Sequence, residues 1–294
     1  MAVFITSLQT ARHCLRRVLG ALLLVAPLQA ASADTAVRFA VLSISPPAVS
    51  HQRWQPFANY ISERLGQRVE LIVPRGFEKM RQAVVADKVD FFYSNAHVFY
   101  RIKEAGKAIG VVQMQNIKGE IVSRSEIFVR ADSDIGGLGD LKNRRIAFVS
   151  PLGAGGYMAP RAAIQSAGLV GNQDVEEVFT KNLTNTLHGV LLGEYDAGAM
   201  CGGNYFLMSQ KIDTGELRVL AVSERYPENL IAARTGVSGA LISRFREAVL
   251  SMKSDPKGRE VLQAMHSMKI RNFVPYDPAV ENMTRVLLEK SRLH

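Results

Sequence analysis

The chain has 294 residues, of which 47% are hydrophobic and 21% are charged, and it carries a formal net charge of +9. These values exclude a disordered or fibrous protein, and the length suits one large or two ordinary globular domains. Lys and Arg are scattered in runs of no more than two, so the charge indicates a solvated basic surface, and no nucleic-acid partner is expected.

Residues 1–33 have the three parts of a secretory signal peptide. A positive start at 12–17 is followed by the apolar run 18–28 and by a small-residue cleavage site that ends at Ala33. The apolar run is too short to cross a bilayer, which needs about 20 residues; a signal anchor is the alternative. Cys14 lies before the apolar run, so no lipoprotein anchor is predicted. We therefore expect cleavage after Ala33 and a monomeric protein in the periplasm, with no membrane insertion after cleavage.

The first part of the exported chain alternates strands with helices, because short β-branched or apolar runs are followed by apolar stripes at helical spacing. This order favours a parallel sheet with helices on both faces. The Gly- and Asp-rich loop after Arg130 indicates a domain junction. Strands are predicted at 37–44, 69–73, 89–93, 109–115 and 125–130, and helices at 52–65, 77–86 and 96–105.

A second alternating set follows that loop. Its predicted strands are 146–150, 175–180, 197–201 and 217–222, and its helices are 155–167, 183–192 and 204–211. From Leu230 onward the pattern predicts helices, at 239–252, 257–264 and 278–288, which we expect to return and cover the first lobe. The predicted architecture is thus α/β with two lobes, each a mostly parallel sheet flanked by helices, and a hinged cleft between them. The lobes are 34–130 plus 223–294, and 131–222.

Ligands of open α/β sheets bind at the carboxyl ends of strands, so the strand-to-helix turns hold the candidate site. In the first such turn Tyr93, Ser94, Asn95 and His97 follow an apolar strand. Polar side chains and free amides at a helix start suit an anionic ligand. The alternatives are that Ser94 or Asn95 only caps the helix and that His97 is a surface residue.

The second turn is glycine-rich and follows the strand at 146–150. Glycines let successive amides approach an anion closely. A phosphate-binding loop of the Gly-Lys-Ser/Thr type is absent, and Met158 stands where a dinucleotide fingerprint needs glycine, which disfavours a nucleotide enzyme. The candidate residues of this turn are Gly153, Ala154, Gly155, Gly156 and Tyr157.

The third turn begins at Cys201, which is the one cysteine after residue 33 and so has no intramolecular disulfide partner. It is either a small buried side chain, a thiol ligand for a soft solute, or a nucleophile. A nucleophile needs a histidine base, and His188 on the preceding helix is the candidate. The histidines show no metal-site spacing. We therefore expect no enzymatic activity, no metal and no cofactor.

Five segments carry a resemblance to a known family: Trp54–Ile61, Lys88–Tyr93, Ile127–Ser133, Gly156–Arg161 and Gly193–Ala199. With them the chain resembles the phosphonate/phosphite/phosphate-binding proteins of ABC importers, a branch of the type II periplasmic-binding fold. The resemblance covers almost all of the chain after residue 33. It implies that fold, a small-molecule solute, and an ABC permease and ATPase as partners.

The chain departs from this family at the residues that hold the anion. The turn before Gly-Tyr-x-x-Pro-Arg usually reads Ser-Thr-Ser in the family, and 153–155 retain its amides without its hydroxyls. A histidine that the family often carries is replaced by Leu183, with polar Asn182, Thr184 and Asn185 around it. Gly202–Gly203 replace acidic residues of many members. Each lost hydrogen bond weakens anion binding by about 1–3 kcal/mol, so the resemblance implies solute binding more firmly than phosphonate.

The predicted function is capture of a small oxyanion, similar to phosphonate, phosphite or phosphate, in the interlobe cleft for an ABC importer. The lobes would close over it by a hinge motion. The alternative is an accessory protein that presents a solute to a membrane sensor kinase, since relatives of this fold do so. In that case Cys201 would contact a thiophilic oxyanion such as arsenite.

Overall fold

Two mixed β-sheets flanked by helices make up the part of the chain that the structure describes. The computed structural model describes residues 36–42 and 46–293, so the predicted signal peptide and its cleavage site lie outside the described residues. The strands are β1 (Val37–Val41), β2 (Val69–Ile72), β3 (Phe91–Ser94), β4 (Ala108–Asn116), β5 (Val122–Ser123), β6 (Ser125–Arg130), β7 (Arg145–Phe148), β8 (Glu176–Phe179), β9 (Ala197–Cys201), β10 (Leu217–Val222), β11 (Tyr226–Pro227), β12 (Leu230–Arg234) and β13 (Ile270–Pro275). The helices are α1 (Pro47–Leu65), α2 (Phe77–Val85), α3 (Ala96–Glu104), α4 (Ala159–Ser166), α5 (Leu183–Leu191), α6 (Gly202–Ser209), α7 (Gly239–Ser251), α8 (Pro256–Met265) and α9 (Ala279–Ser291), with 3-10 helices at Leu138–Leu141 and His266–Met268 and a π-helical turn at Ala154–Met158.

The first sheet has the strand order β2-β1-β3-β12-β4-β13. β1 pairs in parallel with β2 and β3, whereas β12 is antiparallel to β3 and β4. Helices α1, α7 and α8 bury one face of this sheet around aromatic rings. Phe91 and Phe245 stack with ring centroids 3.9 Å apart, and Phe39 meets Phe57 at 5.3 Å. Burial of these large rings supplies much of the hydrophobic stabilisation on this side of the molecule.

The second sheet has the order β8-β7-β9-β6-β10, which repeats the plan of the first. β7 is parallel to β8 and β9, and β6 is antiparallel to β9 and β10. Each sheet contains one strand that directly follows a segment crossing from the other sheet. In the first sheet this strand is β12, which lies beside β3, and in the second it is β6, which lies beside β9. The two crossings, 117–124 and 223–229, meet where β5 pairs antiparallel with β11. The chain therefore passes between the sheets twice, side by side.

The domain boundary differs from the sequence prediction. Strand β6 pairs with β9 and β10, so the chain has already joined the second sheet at Ser125 and does not cross after Arg130. The Gly- and Asp-rich loop leads instead into the 3-10 helix at Leu138–Leu141 within the second set. The division into two lobes stays a prediction, because the residues from Ala36 onward form one compact unit.

The first sheet is mixed because it contains the antiparallel strands β12 and β13, which the sequence pattern did not indicate. β12 is a short apolar run buried on both faces, and such a run lacks the alternation that marks a half-exposed strand. β13 lies at the sheet edge and contains Arg271, Asn272 and Pro275, of which Asn and Pro are depleted in strands. The C-terminal region therefore contributes two strands to the first sheet as well as helices.

The sequence predicts that the C-terminal helices cover the first lobe only, but the last helix packs against elements of both sheets. α9 packs against α4, which follows β7 of the second sheet, and against α3, which follows β3 of the first. It thus connects helices that belong to both halves. No helix among the described residues has the length and apolar character needed to span a membrane.

Candidate functional site

A cleft of about 720 Å³ lies where the carboxyl ends of strands from the two sheets face each other. One wall comes from α1, β3, β4 and residues 267–270, and the other from the turn after β7 and the segments around α5, β9 and α6. The crossing segment 223–229 closes the cleft at its base. Its lining residues are Leu42, Pro46, Ser50, Arg53, Trp54, Phe77, Tyr93, Asn95, Met114, Val149, Gly153, Ala154, Gly155, Gly156, Asn182, Leu183, Thr184, Asn185, Met200, Cys201, Asn204, Leu207, Met208, Lys211, Tyr226, Glu228, Asn229, Ser267, Met268, Lys269 and Ile270.

Ten of the thirteen predicted site residues line this cleft. All three predicted turns reach it, which follows from the parallel arrangement of β1, β3, β7 and β9 at the centres of the sheets. The ten are Tyr93, Asn95, Gly153, Ala154, Gly155, Gly156, Asn182, Thr184, Asn185 and Cys201.

Three predicted site residues lie elsewhere. Ser94 is fully buried, and its hydroxyl donates to the Asn95 carbonyl. His97 is 2% exposed on the inward side of α3, so it is neither a cleft contact nor a surface residue. The Tyr157 hydroxyl points away into the protein and donates to Glu177 Oε2 at 2.6 Å. Ser94 ends strand β3, where successive side chains point to opposite faces of the sheet, whereas His97 and Tyr157 lie in helical turns that direct their side chains into the protein.

Ser125 of β6 and Tyr226 of β11 hold the turn at 153–156, and they leave no room for a side chain at Gly155. The Ser125 hydroxyl donates to the Gly155 carbonyl at 2.6 Å. A Cβ on Gly155 would overlap the Tyr226 hydroxyl and lie 3.1 Å from Cys201 Cβ. The Tyr226 ring therefore occupies the space that a hydroxyl-bearing residue would need, which explains the glycine at this position.

Two asparagines at the cleft cap helices. Asn95 Oδ1 accepts from the Val98 amide at 2.9 Å, while Asn95 Nδ2 donates to the Leu152 carbonyl at 3.1 Å. Asn182 Oδ1 accepts from the Asn185 amide at 2.8 Å. The capping interpretation of Asn95 is confirmed, and its second hydrogen bond ties the first turn to the second.

The Cys201 thiol lies among hydrogen-bonding groups at the base of the cleft. Its Sγ is 3.7 Å from Ser123 Oγ and 3.7 Å from Lys269 Nζ. The Tyr226 hydroxyl also contacts the thiol, and burial, followed by the proximity of Cys201 and Glu228, raises the pKa of Tyr226 well above its ordinary value. Cys201 is therefore partly exposed at the wall of the cleft and is not a buried hydrophobic residue.

Lys269 reaches Cys201 from the opposite wall and adopts an unusual backbone conformation. Its φ of 66° lies in the left-handed region, which a non-glycine residue occupies at a cost of roughly 1 kcal/mol. The Lys269 side chain packs over Gly203, where a Cβ would lie 3.0 Å from Lys269 Cδ. Gly203 thus leaves space for the Lys269 side chain.

Three cations of the cleft were not indicated by the sequence: Arg53 on α1, Lys211 after α6, and Lys269. No carboxylate forms an ion pair with any of them among the described residues. The single carboxylate of the lining, Glu228, accepts a hydrogen bond from Asn116 Nδ2 at 3.2 Å. Isolated Lys and Arg residues in different elements leave no sequence signal, because only the fold brings them to one cavity.

The buried tyrosine of the first wall is fixed in place. Asn229 Nδ2 donates to the Tyr93 hydroxyl at 2.9 Å, and that hydroxyl donates to Met114 Sδ at 3.0 Å. Burial raises the pKa of Tyr93 far above its ordinary value, so the ring stays neutral and contributes no charge to the cleft. Within the described residues, no group of three or more His, Cys, Asp or Glu side chains is arranged to hold a metal ion.

Comparison with known proteins assigns the chain to a family. A family model described as "ABC transporter, phosphonate, periplasmic substrate-binding protein" matches residues 39–280. The chain therefore belongs to this family, and the resemblance noted in the sequence is confirmed.

Solved structures show the same fold at low sequence identity. A binding protein component of an ABC phosphonate transporter from Pseudomonas aeruginosa superposes with a TM-score of 0.75 at 18% identity, over 87% of each chain. PhnD1 from Prochlorococcus marinus, in complex with methylphosphonate, gives a TM-score of 0.72 at 16% identity over 88% of this chain and 98% of that one. The fold is thus that of the type II periplasmic-binding proteins.

A curated relative belongs to a signalling system. The tetrathionate sensor histidine kinase TtrS of Salmonella typhimurium is 26% identical over 229 residues, which are 72% of this chain. The matched region spans 38% of the kinase's own length.

Proposed function

We propose that the chain captures a small oxyanion in the cleft between its two lobes and delivers it to an ABC permease and ATPase from the periplasm. Its membership of a family of periplasmic substrate-binding proteins supports this role. The observation that supports an anionic ligand is that three cationic side chains, Arg53, Lys211 and Lys269, line the cleft without carboxylate partners among the described residues. In this proposal the protein acts as a monomer and performs no covalent chemistry.

The residues of the two walls divide the work. Residues 154–156 line the cleft at the start of a helical segment, where the first amides have no carbonyl partner within the helix and are available to an anion. Thr184 and the amide group of Asn182 add hydrogen-bond donors beside this turn. Arg53 and Lys269 face them from the other wall and supply charge. Each donor to a charged oxygen contributes about 1.5–3 kcal/mol when the cleft closes.

Isothermal titration tests the proposal. The purified chain is titrated with phosphate, phosphite, methylphosphonate, sulfate and tetrathionate, and at least one is expected to bind. Substitution Arg53→Gln is expected to weaken that anion by about tenfold, since it removes one charge from the lining. Arg64→Gln on the same helix, α1, is the matched control, because Arg64 lies outside the cleft and its loss leaves the affinity unchanged. Absence of binding across the panel would contradict the proposal.

A second candidate is an accessory role in sensing, in which the loaded protein docks on a membrane sensor kinase. The relationship to the tetrathionate sensor kinase favours it, because the aligned region there forms part of a signalling protein. Purified chain, with and without its anion, is tested for binding to a candidate ABC permease and to the sensor region of a candidate kinase from the same organism. Anion-dependent binding to the permease supports transport, and anion-dependent binding to the sensor region supports sensing.

A further inference from the structure

Five residues with sulfur-containing side chains contribute to the lining of the cleft; Cys201, Met208 and Met268 are partly exposed, whereas Met114 and Met200 are buried in the core. Two come from the first wall, on β4 and on the 3-10 helix before β13, and three come from β9, its end and α6 on the second wall. They converge on one cavity although they are far apart in the chain. The five are Met114, Met200, Cys201, Met208 and Met268.

The chemistry of these side chains restricts what lies against them. A thioether accepts hydrogen bonds only weakly and donates none, and a thiol is a weak donor. Both are polarisable and make favourable dispersion contacts with soft groups. A ligand segment with hydroxyl or ammonium groups would lose its hydrogen bonds to water there. The middle of the ligand is therefore apolar or polarisable.

The charged side chains require anionic groups at more than one place. Arg53 and Lys269 belong to the first wall and Lys211 to the second, so positive charge faces the ligand from both sides. Glu228 is the single carboxylate of the lining, and its Oε1 already accepts from Asn116. Three cations against one carboxylate leave an excess of positive charge, which two anionic groups on the ligand would balance.

The size of the cleft agrees with a ligand longer than one tetrahedral anion. The cavity of about 720 Å³ lies within the range of roughly 300–1,000 Å³ that is typical of pockets for small organic ligands. Phosphate or methylphosphonate would fill a small fraction of it. An anion with an oxyanion group at each end would reach donors on both walls.

We infer that the ligand is a small dianion of the polythionate class, with a sulfonate group at each end and a chain of sulfur atoms between them. This inference rests on the proposed function and names the solute of the same cleft. The sulfonate ends lie against the three cations and against the amide donors of the turn at 153–156. The sulfur chain lies against Cys201, Met208 and Met268, where polarisable sulfur atoms contact one another.

Equilibrium titration with matched anions tests the inference. Tetrathionate is compared with ethanedisulfonate, which has the same end groups and charge but methylenes in place of the central sulfur atoms, and with methylphosphonate. Tetrathionate is expected to bind at least about tenfold more tightly than either. The titration is repeated with Cys201→Ser, and intact-mass measurement confirms that the thiol of the native chain stays unmodified. The Cys201→Ser chain is expected to keep the order of affinities, because the partly exposed Met208 and Met268 remain.

Methionine variants test the sulfur contact itself. Met208→Leu combined with Met268→Leu keeps the apolar volume but removes two sulfur atoms from the wall, and is expected to reduce the preference for tetrathionate over ethanedisulfonate severalfold. Met283→Leu on α9 is the control, since Met283 lies outside the cleft, and it leaves the preference unchanged.

The outcomes separate this inference from the proposed function. Equal binding of tetrathionate and ethanedisulfonate would overturn the role of the sulfur wall. Methylphosphonate binding as tightly as tetrathionate would overturn the polythionate class and leave the oxyanion-binding function intact. Absence of binding to every anion would overturn both.

Discussion

At the level of single side chains, the turn at 153–156 requires glycine at position 155. A methyl group there would overlap the Tyr226 hydroxyl, whereas a Cβ on the neighbouring Gly156 meets Val149 at an ordinary 3.7 Å. Overpacking of this kind costs about 1–3 kcal/mol. We expect Gly155→Ala to lower the free energy of unfolding by that amount and to weaken anion binding, because Tyr226 and Cys201 must shift. Urea unfolding and titration measure both effects.

Gly156→Ala is the matched control for this substitution. It lies in the same turn but has room for the methyl group, so its unfolding free energy and affinity are expected to stay near those of the native chain. Equal tolerance of both substitutions would show that Tyr226 does not exclude side chains from the turn.

His97 makes the stability depend on pH. Burial lowers its pKa to about 4, with a smaller contribution from Arg101, and neither ring nitrogen has a hydrogen-bond partner among the described residues. An unfolded histidine has a pKa of about 6.5, so the unfolded chain binds the proton more readily. Stability therefore falls as the pH drops from about 6.5 towards about 4, by about 3 kcal/mol from this residue.

His97→Leu is expected to remove this component, because it replaces the buried ring with an apolar side chain of smaller polarity and similar shape. Urea unfolding between about pH 7 and about pH 4 measures the slope. His188→Gln changes an exposed histidine and is expected to leave the slope as in the native chain. An unchanged slope in His97→Leu would contradict the assignment to His97.

Most of the site residues predicted from the sequence line the cleft, because the strand-to-helix turns of parallel strands all lie at the carboxyl-end edge of a sheet. Ser94, His97 and Tyr157 do not line the cleft, because successive residues of a strand point to opposite faces and residues within one helical turn point to different sides. The sequence also did not indicate Lys269, whose approach to Cys201 depends on strand β13. Long-range contacts of this kind leave no local pattern.

At the level of helices and strands, a buried ion pair attaches α9 to the second sheet. Arg161 Nη1 on α4 donates to Glu177 Oε1 at 2.5 Å, the carboxylate side chain is 1% exposed, and Arg161 Nε donates to the Ser291 carbonyl at 2.9 Å. Removing one partner leaves an uncompensated buried charge, which costs about 3–5 kcal/mol. Glu177→Gln is therefore expected to destabilise the chain by that amount and to speed hydrogen exchange in α9.

The exposed pair Lys257–Glu63 provides the comparison. Its side chains are more than half exposed, so Glu63→Gln is expected to cost no more than about 1 kcal/mol. Replacing both Arg161 and Glu177 with methionine is expected to cost less than Glu177→Gln alone, because no charge is left buried. A Glu177→Gln chain as stable as the native one would refute the account.

The elements that sequence patterns recovered are those with amphipathic helices or strongly apolar strands between turn residues. β12 escaped because it is buried on both faces and contains two alanines, so nothing in it alternates. β13 escaped because an edge strand tolerates polar residues and a terminal proline. Both join the first sheet through pairings with β4, which lies more than a hundred residues away in the chain.

In the whole molecule, two sheets with the same strand plan are connected by two adjacent crossing segments, which pair through β5 and β11. The alternation of strands and helices was sufficient to predict two α/β sets, yet the position of the boundary depended on which sheet β6 joins. Its sequence suits either sheet, and the pairing with β9 decides. The same pairing places Ser125 where its hydroxyl donates to the Gly155 carbonyl, so the strand pairing also determines the position of the turn at 153–156.

Closure of the cleft is expected to cover α6. No residue of this helix is buried, although it is largely apolar and Phe206 is 54% exposed. Leu207 and Met208 face the cleft, and Lys269 of the opposite wall already packs on Gly203. An anion that draws the walls together buries this surface, which favours the closed form by about 25 cal/mol per Å² of apolar area covered. We therefore expect a saturating anion to slow hydrogen exchange in 202–209 and to reduce the radius of gyration measured by X-ray scattering.

The exchange of α9 serves as the internal reference in this experiment. α9 is anchored to α4 through Arg161 and also packs on α3, so a hinge at the paired crossings must move the walls while these contacts persist. Its exchange rates are expected to stay unchanged when the anion binds. Arg53→Gln at the same anion concentration is expected to show weaker protection of α6, in proportion to its lower occupancy. Tight binding with unchanged exchange in α6 and an unchanged radius would mean that the cleft binds its anion without closing.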